Sequence, residues 1–416
     1  MTMHKRIPQP TVNAVAANHS ALRALRRHWL MAALLYAAAI SAAYSWLARS
    51  AFAAHAAGWL IWTGVTAAVL LGFLWRILPR NRRKGETQLF PDFGYGTWLS
   101  LFCGLLIALL AGFLFRPMPE GWLAWAPALL YTVARLLDLW DGYLARRANR
   151  VSELGAALDI ELDGLGLLIA VALGVQYGRL PVWYLLLAVS RQLFVAGMWL
   201  LNRRGKPVYD LPPSENRRII AGFQTGFLTV VLWPILSPPL TRFMALAFAI
   251  PLVASFGRDW LVVSGVLDPD APAYLRGRRI VKRVVEGWLP LVARVGGALL
   301  GAGLLWRNAP SFAAWQASLD AAGIADALGA IWAAVALIAP ALLFFALGSA
   351  ARLAAIFVIA LAFLDISAAE LSWRDNAWLL LSGILVAHFG GGFYALWQPE
   401  EDILHRRLGD TGPALR

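Results

Sequence analysis

Four aspartates between positions 138 and 163 have a spacing that could support catalysis. The chain reads D-L-W-D-G-Y-L-A-R from Asp138 and, after eight further residues, continues as G-A-A-L-D-I-E-L-D. The pattern is D-x2-D-G-x2-A-R-x8-G-x3-D-x3-D. Residues three or four apart share one face of a helix, as Asp138 and Asp141 do, and likewise Asp159 and Asp163. The spacing predicts two helices that each present two carboxylates.

Four carboxylates at the edge of a membrane repel one another and lose hydration unless cations neutralise them. Hard divalent ions with oxygen ligands, Mg²⁺ or Mn²⁺, suit such a group. Two ions ~4 Å apart can polarise a diphosphate and stabilise both the entering and the leaving oxygen. The aspartates therefore predict a site for Mg²⁺ or Mn²⁺, with two ions expected.

The residues between the aspartates suit a phosphate-containing ligand. Gly142 and Ala145 leave backbone accessible to a nucleotide, and Gly155 removes a side chain one turn before Asp159. Arg146 can pair with phosphate oxygens through two parallel hydrogen bonds.

The elements that carry these residues belong to a membrane protein. Of the 416 residues, 60% are hydrophobic and 15% charged, against roughly 25% charged in soluble domains. About twelve apolar runs are long enough to approach the ~20 residues that cross a bilayer, and only helices satisfy their backbone there. We therefore expect an all-α polytopic protein with about twelve transmembrane helices.

Charge and cysteine content bear on the ligands, the membrane topology and the covalent links that this protein can have. The net charge is +13, but the arginines form short clusters between apolar runs, which argues against nucleic-acid binding. Alternate inter-span segments are rich in Lys and Arg, so the positive-inside rule places both termini in the cytoplasm. The single cysteine, Cys103, excludes an intramolecular disulfide. The expected location is the cytoplasmic (inner) membrane, with the aspartates on the cytoplasmic side.

Five segments are expected along the chain. A basic tail and two spans (1–88) precede a six-helix core (89–264). A basic linker (265–285) leads to a four-helix block (286–404) that we expect to pack on its own, and a short tail (405–416) follows.

Residues 138–163 resemble the signature of the CDP-alcohol phosphotransferases, and the resemblance extends over about 89–264. It implies that Asp138, Asp141, Asp159 and Asp163 bind two metal ions and that Asp163 also deprotonates the acceptor hydroxyl. It further implies that Gly142, Ala145, Arg146 and Gly155 surround the cytidine diphosphate. Dimers are frequent in this family, so a homodimer is an open possibility.

Weaker resemblances concern the acceptor. Arg191 occupies the place of an arginine found in many phosphatidyl-transferring members. The residues Pro213 and Ser214, followed by Arg217, Arg218 and Gln224, resemble the basic segment that opens the fifth helix of the family and holds phosphorylated acceptors. The first core helix departs from the family, because Thr97, Ser100 and Cys103 stand where asparagine, threonine and arginine are common. The last block loosely resembles the DoxX-type membrane family through L-G-S-A-A-R-L and H-F-G-G-G-F-Y.

The expected activity is transfer of a phosphatidyl group from CDP-diacylglycerol to an alcohol, with release of CMP, a transferase reaction of phospholipid biosynthesis (EC 2.7.8 type). The favoured acceptor is a phosphorylated polyol such as glycerol 3-phosphate or inositol phosphate. One alternative is transfer from a soluble CDP-aminoalcohol to a lipid alcohol. Another is a polytopic transporter or scaffold, which the charged residues in or near apolar spans favour: Arg135, Arg191, Arg258 and Asp259.

Overall fold

The computed structural model describes residues 12–211, 215–234, 236–309, 312–321, 326–368 and 376–400. Within these ranges the secondary structure is helical, and the only β-type pairing is one isolated bridge, between Ser349 and Trp397. The all-α class is therefore confirmed. The chain divides into two compact units, one made of Met1–Val189 and Leu228–Pro234, the other of Ser190–Phe227 and Ile235–Arg416.

Among the described residues, five helical stretches are long and apolar enough to cross a membrane: Ala17–Leu47, Ala53–Arg80, Pro238–Val263, Pro272–Asn308 and Ala327–Leu347. The expected number of about twelve spans is not confirmed. Other apolar helices are short, such as Tyr95–Ala111 with 17 residues, and the two helices that carry the aspartates are interrupted by charge. The apolar run near 181–201 is also broken, because one helix ends at Ala188 and the next starts at Ser190.

The first unit contains α1 (Val12–Leu47), α2 (Ala53–Ile77), α3 (Tyr95–Ala111), α4 (Trp125–Arg147), α5 (Glu153–Gln176) and α6 (Tyr184–Ala188). Short 3₁₀ turns, Leu78–Arg80 and Gly121–Ala124, follow α2 and precede α4. Ser152 caps α5, since its hydroxyl accepts a hydrogen bond from the Gly155 backbone at 3.0 Å. This cap fixes where the helix that carries Asp159 and Asp163 begins.

Helices α3 and α4 pack closely because α3 has a glycine at their contact. A side chain on Gly96 would come within 2.8 Å of the Asp141 carbonyl and 2.9 Å of Ala145 Cβ. Farther along α3, the Tyr36 hydroxyl of α1 donates to the Leu101 carbonyl at 2.5 Å. The small residues therefore bring α3 against the part of α4 that bears Asp141.

The second unit contains α7 (Ser190–Arg203), the first part of α8 (Glu215–Val231), α9 (Pro238–Val263) and α10 (Pro272–Lys282), and then α11 (Leu289–Asn308), α12 (Ala313–Ala321), α13 (Ala327–Leu347), α14 (Ala351–Ala368) and α15 (Ala377–Phe389). The last four residues of α8, from Leu228 to Val231, belong to the first unit. The boundary between the two units thus falls inside the expected six-helix core, 89–264. The expected linker is mostly helical, since α10 lies inside it.

The two motifs of the last block, L-G-S-A-A-R-L and H-F-G-G-G-F-Y, lie close together in the structure. The backbone of Ala350 donates to the Trp397 carbonyl, and Arg352 donates to the His388 carbonyl at 2.9 Å. The buried His388 ring lies 5.1 Å from the Phe223 ring and 4.8 Å from the Phe248 ring, centroid to centroid. His388 is therefore a packing residue at a contact between this block and helices α8 and α9.

Candidate metal and nucleotide site

Three of the four aspartates converge in the first unit. Asp138 and Asp141 extend from α4 and Asp159 from α5, and one carboxylate oxygen of each lies within 4.8 Å of the others. Asp141 is buried and the other two are half-buried. A hard divalent ion binds oxygen ligands at ~2.1–2.5 Å, so oxygens this close together can share one ion. These three residues, here called the carboxylate cluster, fit Mg²⁺ or Mn²⁺.

Asp163 lies beside the carboxylate cluster and is paired with an arginine. It is one turn after Asp159 on α5, its side chain is 53% exposed, and it forms an ion pair with Arg135 of α4. The Arg135 side chain is only 9% exposed and also lies 3.6 Å from Asp138. Its Nε and Nη2 atoms have no hydrogen-bond partner within the part of the chain that the structure describes. Arg135 therefore links Asp163 to the edge of the cluster.

Sequence reasoning considered Arg135 only as a charge inside an apolar span. The sequence does indicate the contact with Asp138, because Arg135 precedes Asp138 by three residues and therefore shares its helical face. Its pairing with Asp163, 28 residues later, depends on how α4 and α5 pack.

The unusual residues of α3 face this site. The Ser100 hydroxyl lies 2.6 Å from an Asp141 carboxylate oxygen, and both side chains are buried. The Cys103 thiol is fully buried and lies 3.5 Å from the Ala134 carbonyl of α4. Ser100 therefore supplies a hydrogen bond that orients Asp141.

The residues expected to surround the cytidine diphosphate lie on α4 and at the start of α5. A side chain on Gly155 would meet only Ser152 Oγ at 3.4 Å and Thr97 Oγ1 at 3.8 Å, so there is room beside it. A side chain on Gly142 would come within 3.0 Å of the Arg146 guanidinium. Ala145 faces Gly96 of α3. Their contact with a nucleotide stays a prediction.

A loop that spans the expected boundary between the segment 1–88 and the core 89–264 contacts and holds the turn between α4 and α5. This loop, residues 81–92, is here called the brace. Arg82 pairs with Glu153 at 3.3 Å, Arg83 donates to the Asn149 carbonyl at 3.0 Å, and Asp92 pairs with Arg150 at 2.8 Å. The braced turn is the eight-residue spacer of the aspartate pattern.

The brace is itself held by two asparagines. The buried Asn81 side chain donates to the carbonyls of Phe90 at 3.2 Å and Asp92 at 2.9 Å. The Asn18 side chain of α1 donates to the Thr87 carbonyl and accepts from the Leu89 backbone. Residues 12–92 are thus structurally tied to the carboxylate cluster.

The residues expected to hold the acceptor lie in the second unit. Arg217 on α8 pairs with the buried Asp259 of α9 at 3.3 Å, and Arg258 pairs with the same carboxylate at 3.0 Å. Arg191 is exposed on α7. Ser214 and the Arg218 side chain lie outside the described part of the chain. An acceptor role for these four residues stays a prediction.

Comparison with known families bears on the chemistry of the carboxylate cluster. Residues 95–255 match the family model described as CDP-alcohol phosphatidyltransferase. The predicted family is confirmed for this segment. All four aspartates of the pattern fall inside the CDP-alcohol phosphatidyltransferase segment, as does Arg135. The matched range also includes α3.

Several curated relatives carry the name CDP-diacylglycerol–glycerol-3-phosphate 3-phosphatidyltransferase. The Bacillus subtilis (strain 168) protein is 36% identical over 18% of this chain and 39% of its own length. The Salmonella choleraesuis protein is 31% identical over 26% of this chain and 59% of its own length. The Yersinia enterocolitica protein is 29% identical over 33% of this chain and 75% of its own length. The chain thus spans less than two thirds of the first two relatives. No solved structure matches it significantly.

Proposed function

We propose that this chain is a phosphatidyltransferase of phospholipid biosynthesis that uses CDP-diacylglycerol as donor and releases CMP. One observation carries the proposal: Asp138, Asp141 and Asp159 converge within 4.8 Å inside the segment that matches the CDP-alcohol phosphatidyltransferase family. Glycerol 3-phosphate is the favoured acceptor, because the relatives are named for it.

In the proposed reaction the acceptor hydroxyl oxygen attacks the phosphorus that bears the diacylglycerol. A bond forms between them, the bond from that phosphorus to the oxygen of CMP breaks, and CMP leaves with the electron pair. Asp163 accepts the hydroxyl proton. It is suited to this role because it is exposed beside the cluster, and Arg135 holds its carboxylate in place.

The carboxylate cluster, with Asp163 at its edge, would hold one or two Mg²⁺ or Mn²⁺ ions. Such ions, when bound, neutralise the diphosphate and stabilise the leaving group. Arg146 binds phosphate oxygens, and the space beside Gly155 accommodates part of the nucleotide.

The experiment that tests the function is CMP release from labelled CDP-diacylglycerol by the purified protein, with a panel of acceptors. We expect turnover with glycerol 3-phosphate, complete loss in excess chelator and recovery with Mg²⁺ or Mn²⁺. Full activity in chelator would refute the metal site. Turnover only with a soluble CDP-aminoalcohol and a lipid alcohol would show that CDP-diacylglycerol is not the donor.

A phosphorylated acceptor fits the cations of α8. Arg217 of α8 and Arg258 of α9 both pair with Asp259, and a phosphate on the acceptor would offer arginines of this kind a further anionic partner. Replacing Arg217 and Arg218 with Ala should raise the acceptor KM at least tenfold with little change in the donor KM, since charge-assisted hydrogen bonds contribute ~1.5–3 kcal/mol each.

Steady-state kinetics with each substrate varied in turn would measure this effect. The control is a variant in which Arg203 and Arg204, at the end of α7, are replaced with Ala, since this change removes the same amount of charge. Equal changes in both KM values would favour an acceptor without phosphate.

For the membrane arrangement, we infer that apolar helices beyond the five long ones also cross, giving about twelve spans. The Lys- and Arg-rich segments then lie in the cytoplasm, and the carboxylate cluster lies on that side of the inner membrane. A homodimer is consistent with the family resemblance.

A further inference from the structure

Helix α10 has two chemically distinct exposed faces. All residues from Leu275 to Val284 are exposed, among them Ile280 at 67% and Val281 at 59%. At about 100° per residue, Ile280, Val281 and Val284 fall in one arc of the helix. The cations fall in the opposite arc: Arg276, Arg278, Arg279, Lys282 and Arg283.

The cationic face is largely unpaired. Lys282 pairs with Glu286 at 3.4 Å, whereas Arg276, Arg278 and Arg283 form no ion pair within the described ranges. The apolar face has no buried residue, and the Tyr274 hydroxyl, which accepts from Arg258 at 3.0 Å, ties the start of α10 to the end of α9. Two opposite exposed faces of this kind are typical of helices that lie in a membrane interface.

The length of the helix places α10 outside the hydrocarbon core. Pro272–Asn308 forms one helical stretch of 37 residues. At ~1.5 Å per residue this stretch is about 55 Å long, whereas the hydrocarbon core is about 30 Å thick. A π-helical turn, Arg283–Trp288, separates α10 from α11, and the exposed Trp288 at its end suits an interfacial anchor.

We propose that α10 is a docking surface for the anionic phospholipid headgroups of the bilayer in which the protein resides. The apolar face inserts at the level of the acyl-chain boundary, and the five cations contact lipid phosphates. Charge complementarity selects this partner, because a zwitterionic surface would attract the apolar face but give the cations no net attraction. No residue of α10 belongs to the carboxylate cluster, and the proposal does not depend on the proposed activity.

The test measures how accessible α10 is to water in the full-length protein. Val281→Cys is introduced with Cys103→Ala, and the protein is placed in nanodiscs of neutral lipid or with about 30% phosphatidylglycerol. We expect a membrane-impermeant maleimide to label Cys at position 281 about tenfold more slowly in the anionic discs. About 0.5 M salt should reverse the protection by screening the charges.

A charge variant and its control complete the test. Arg276, Arg278 and Arg279 changed to Gln should abolish the difference between the two lipids. The same change at Arg203, Arg204 and Lys206, which removes three charges elsewhere, should preserve it. Equal labelling in both lipids with the native charges would overturn the proposal. So would protection by an added soluble polyanion, such as RNA, without protection by anionic lipid.

Discussion

At the scale of single residues, the pairing of Arg135 with two aspartates decides the electrostatics of the site. The side chain of Arg135 is almost fully buried, and the lost hydration of a buried cation is offset by anionic or hydrogen-bonding partners. It lies between Asp138 and Asp163, so it reduces the repulsion between α4 and α5. The Asp163 side chain is 53% exposed, whereas Asp141 of the carboxylate cluster is buried.

Asp163→Asn should lower kcat by ~10² or more while the protein still binds CDP-diacylglycerol, because general-base contributions are typically 10² to 10⁴-fold. The amide keeps the shape of the carboxylate, and Arg135 retains Asp138 as a partner. CMP release at saturating donor measures kcat, and titration of the purified variant with donor in the presence of Mn²⁺ measures binding.

Glu161→Gln is the matched control for this variant. Glu161 is an exposed carboxylate on the same helix, two residues before Asp163, so the change alters net charge equally. Its kcat should stay within about twofold of the native value. A variant of Asp163 that loses donor binding but turns over normally at saturation would assign the residue to metal ligation alone.

At the scale of elements, the brace determines how firmly α4 and α5 are held together. Its ion pairs are half-exposed, and such pairs contribute only ~0–1 kcal/mol each. The buried hydrogen bonds of Asn81 contribute more, since a buried polar group left without a partner costs ~1–3 kcal/mol. Asn81 is therefore the positioning residue of the brace.

Asn81→Ala should raise the Mn²⁺ concentration for half-maximal activity several-fold, because a loosened brace frees the turn that spaces Asp141 from Asp159. The measurement is activity against Mn²⁺ concentration, together with thermal unfolding. The exposed Asn202 changed to Ala is the control and should alter neither. A lower melting temperature with unchanged Mn²⁺ dependence would show that Asn81 is only a structural residue.

At the scale of the whole molecule, the second unit joins helices that sequence reasoning assigned to different blocks. Phe223 and Phe248 lie before position 255, where the family match ends, and both contact the ring of His388 near the end of the last block. Arg352 of α14 lies 5.9 Å from the Phe223 ring. These contacts place aromatic packing between the last block and helices α8 and α9. Independent packing of residues 286–404 stays a prediction.

Deletion of residues 286–416 should lower the melting temperature in detergent by more than about 5 °C, because aromatic packing in the second unit is lost. Fluorescence-detected unfolding would measure the shift. In the intact chain, His388→Ala should give a smaller decrease in the same direction, whereas Trp306→Ala, at a side chain that is 84% exposed, should give none. A truncated protein as stable as the full chain would support independent packing.

The sequence by itself determined the aspartate pattern and the helical class. The aspartate pattern is local in the chain, so the helical repeat alone places Asp138 with Asp141 on one face, and composition alone indicates the membrane. The convergence of Asp138, Asp141 and Asp159 also follows, once α4 and α5 are expected to pack as neighbours.

Only the tertiary structure decided which long-range partners these residues have. Arg135 reaches Asp163 across 28 positions, Ser100 reaches Asp141 across 41 and Arg82 reaches Glu153 across 71. Such contacts depend on the close approach of α3 to α4 at Gly96 and on the path of the loop after α2. Hydrophobic periodicity describes one helix at a time, and it therefore carries no information about which faces of different helices meet.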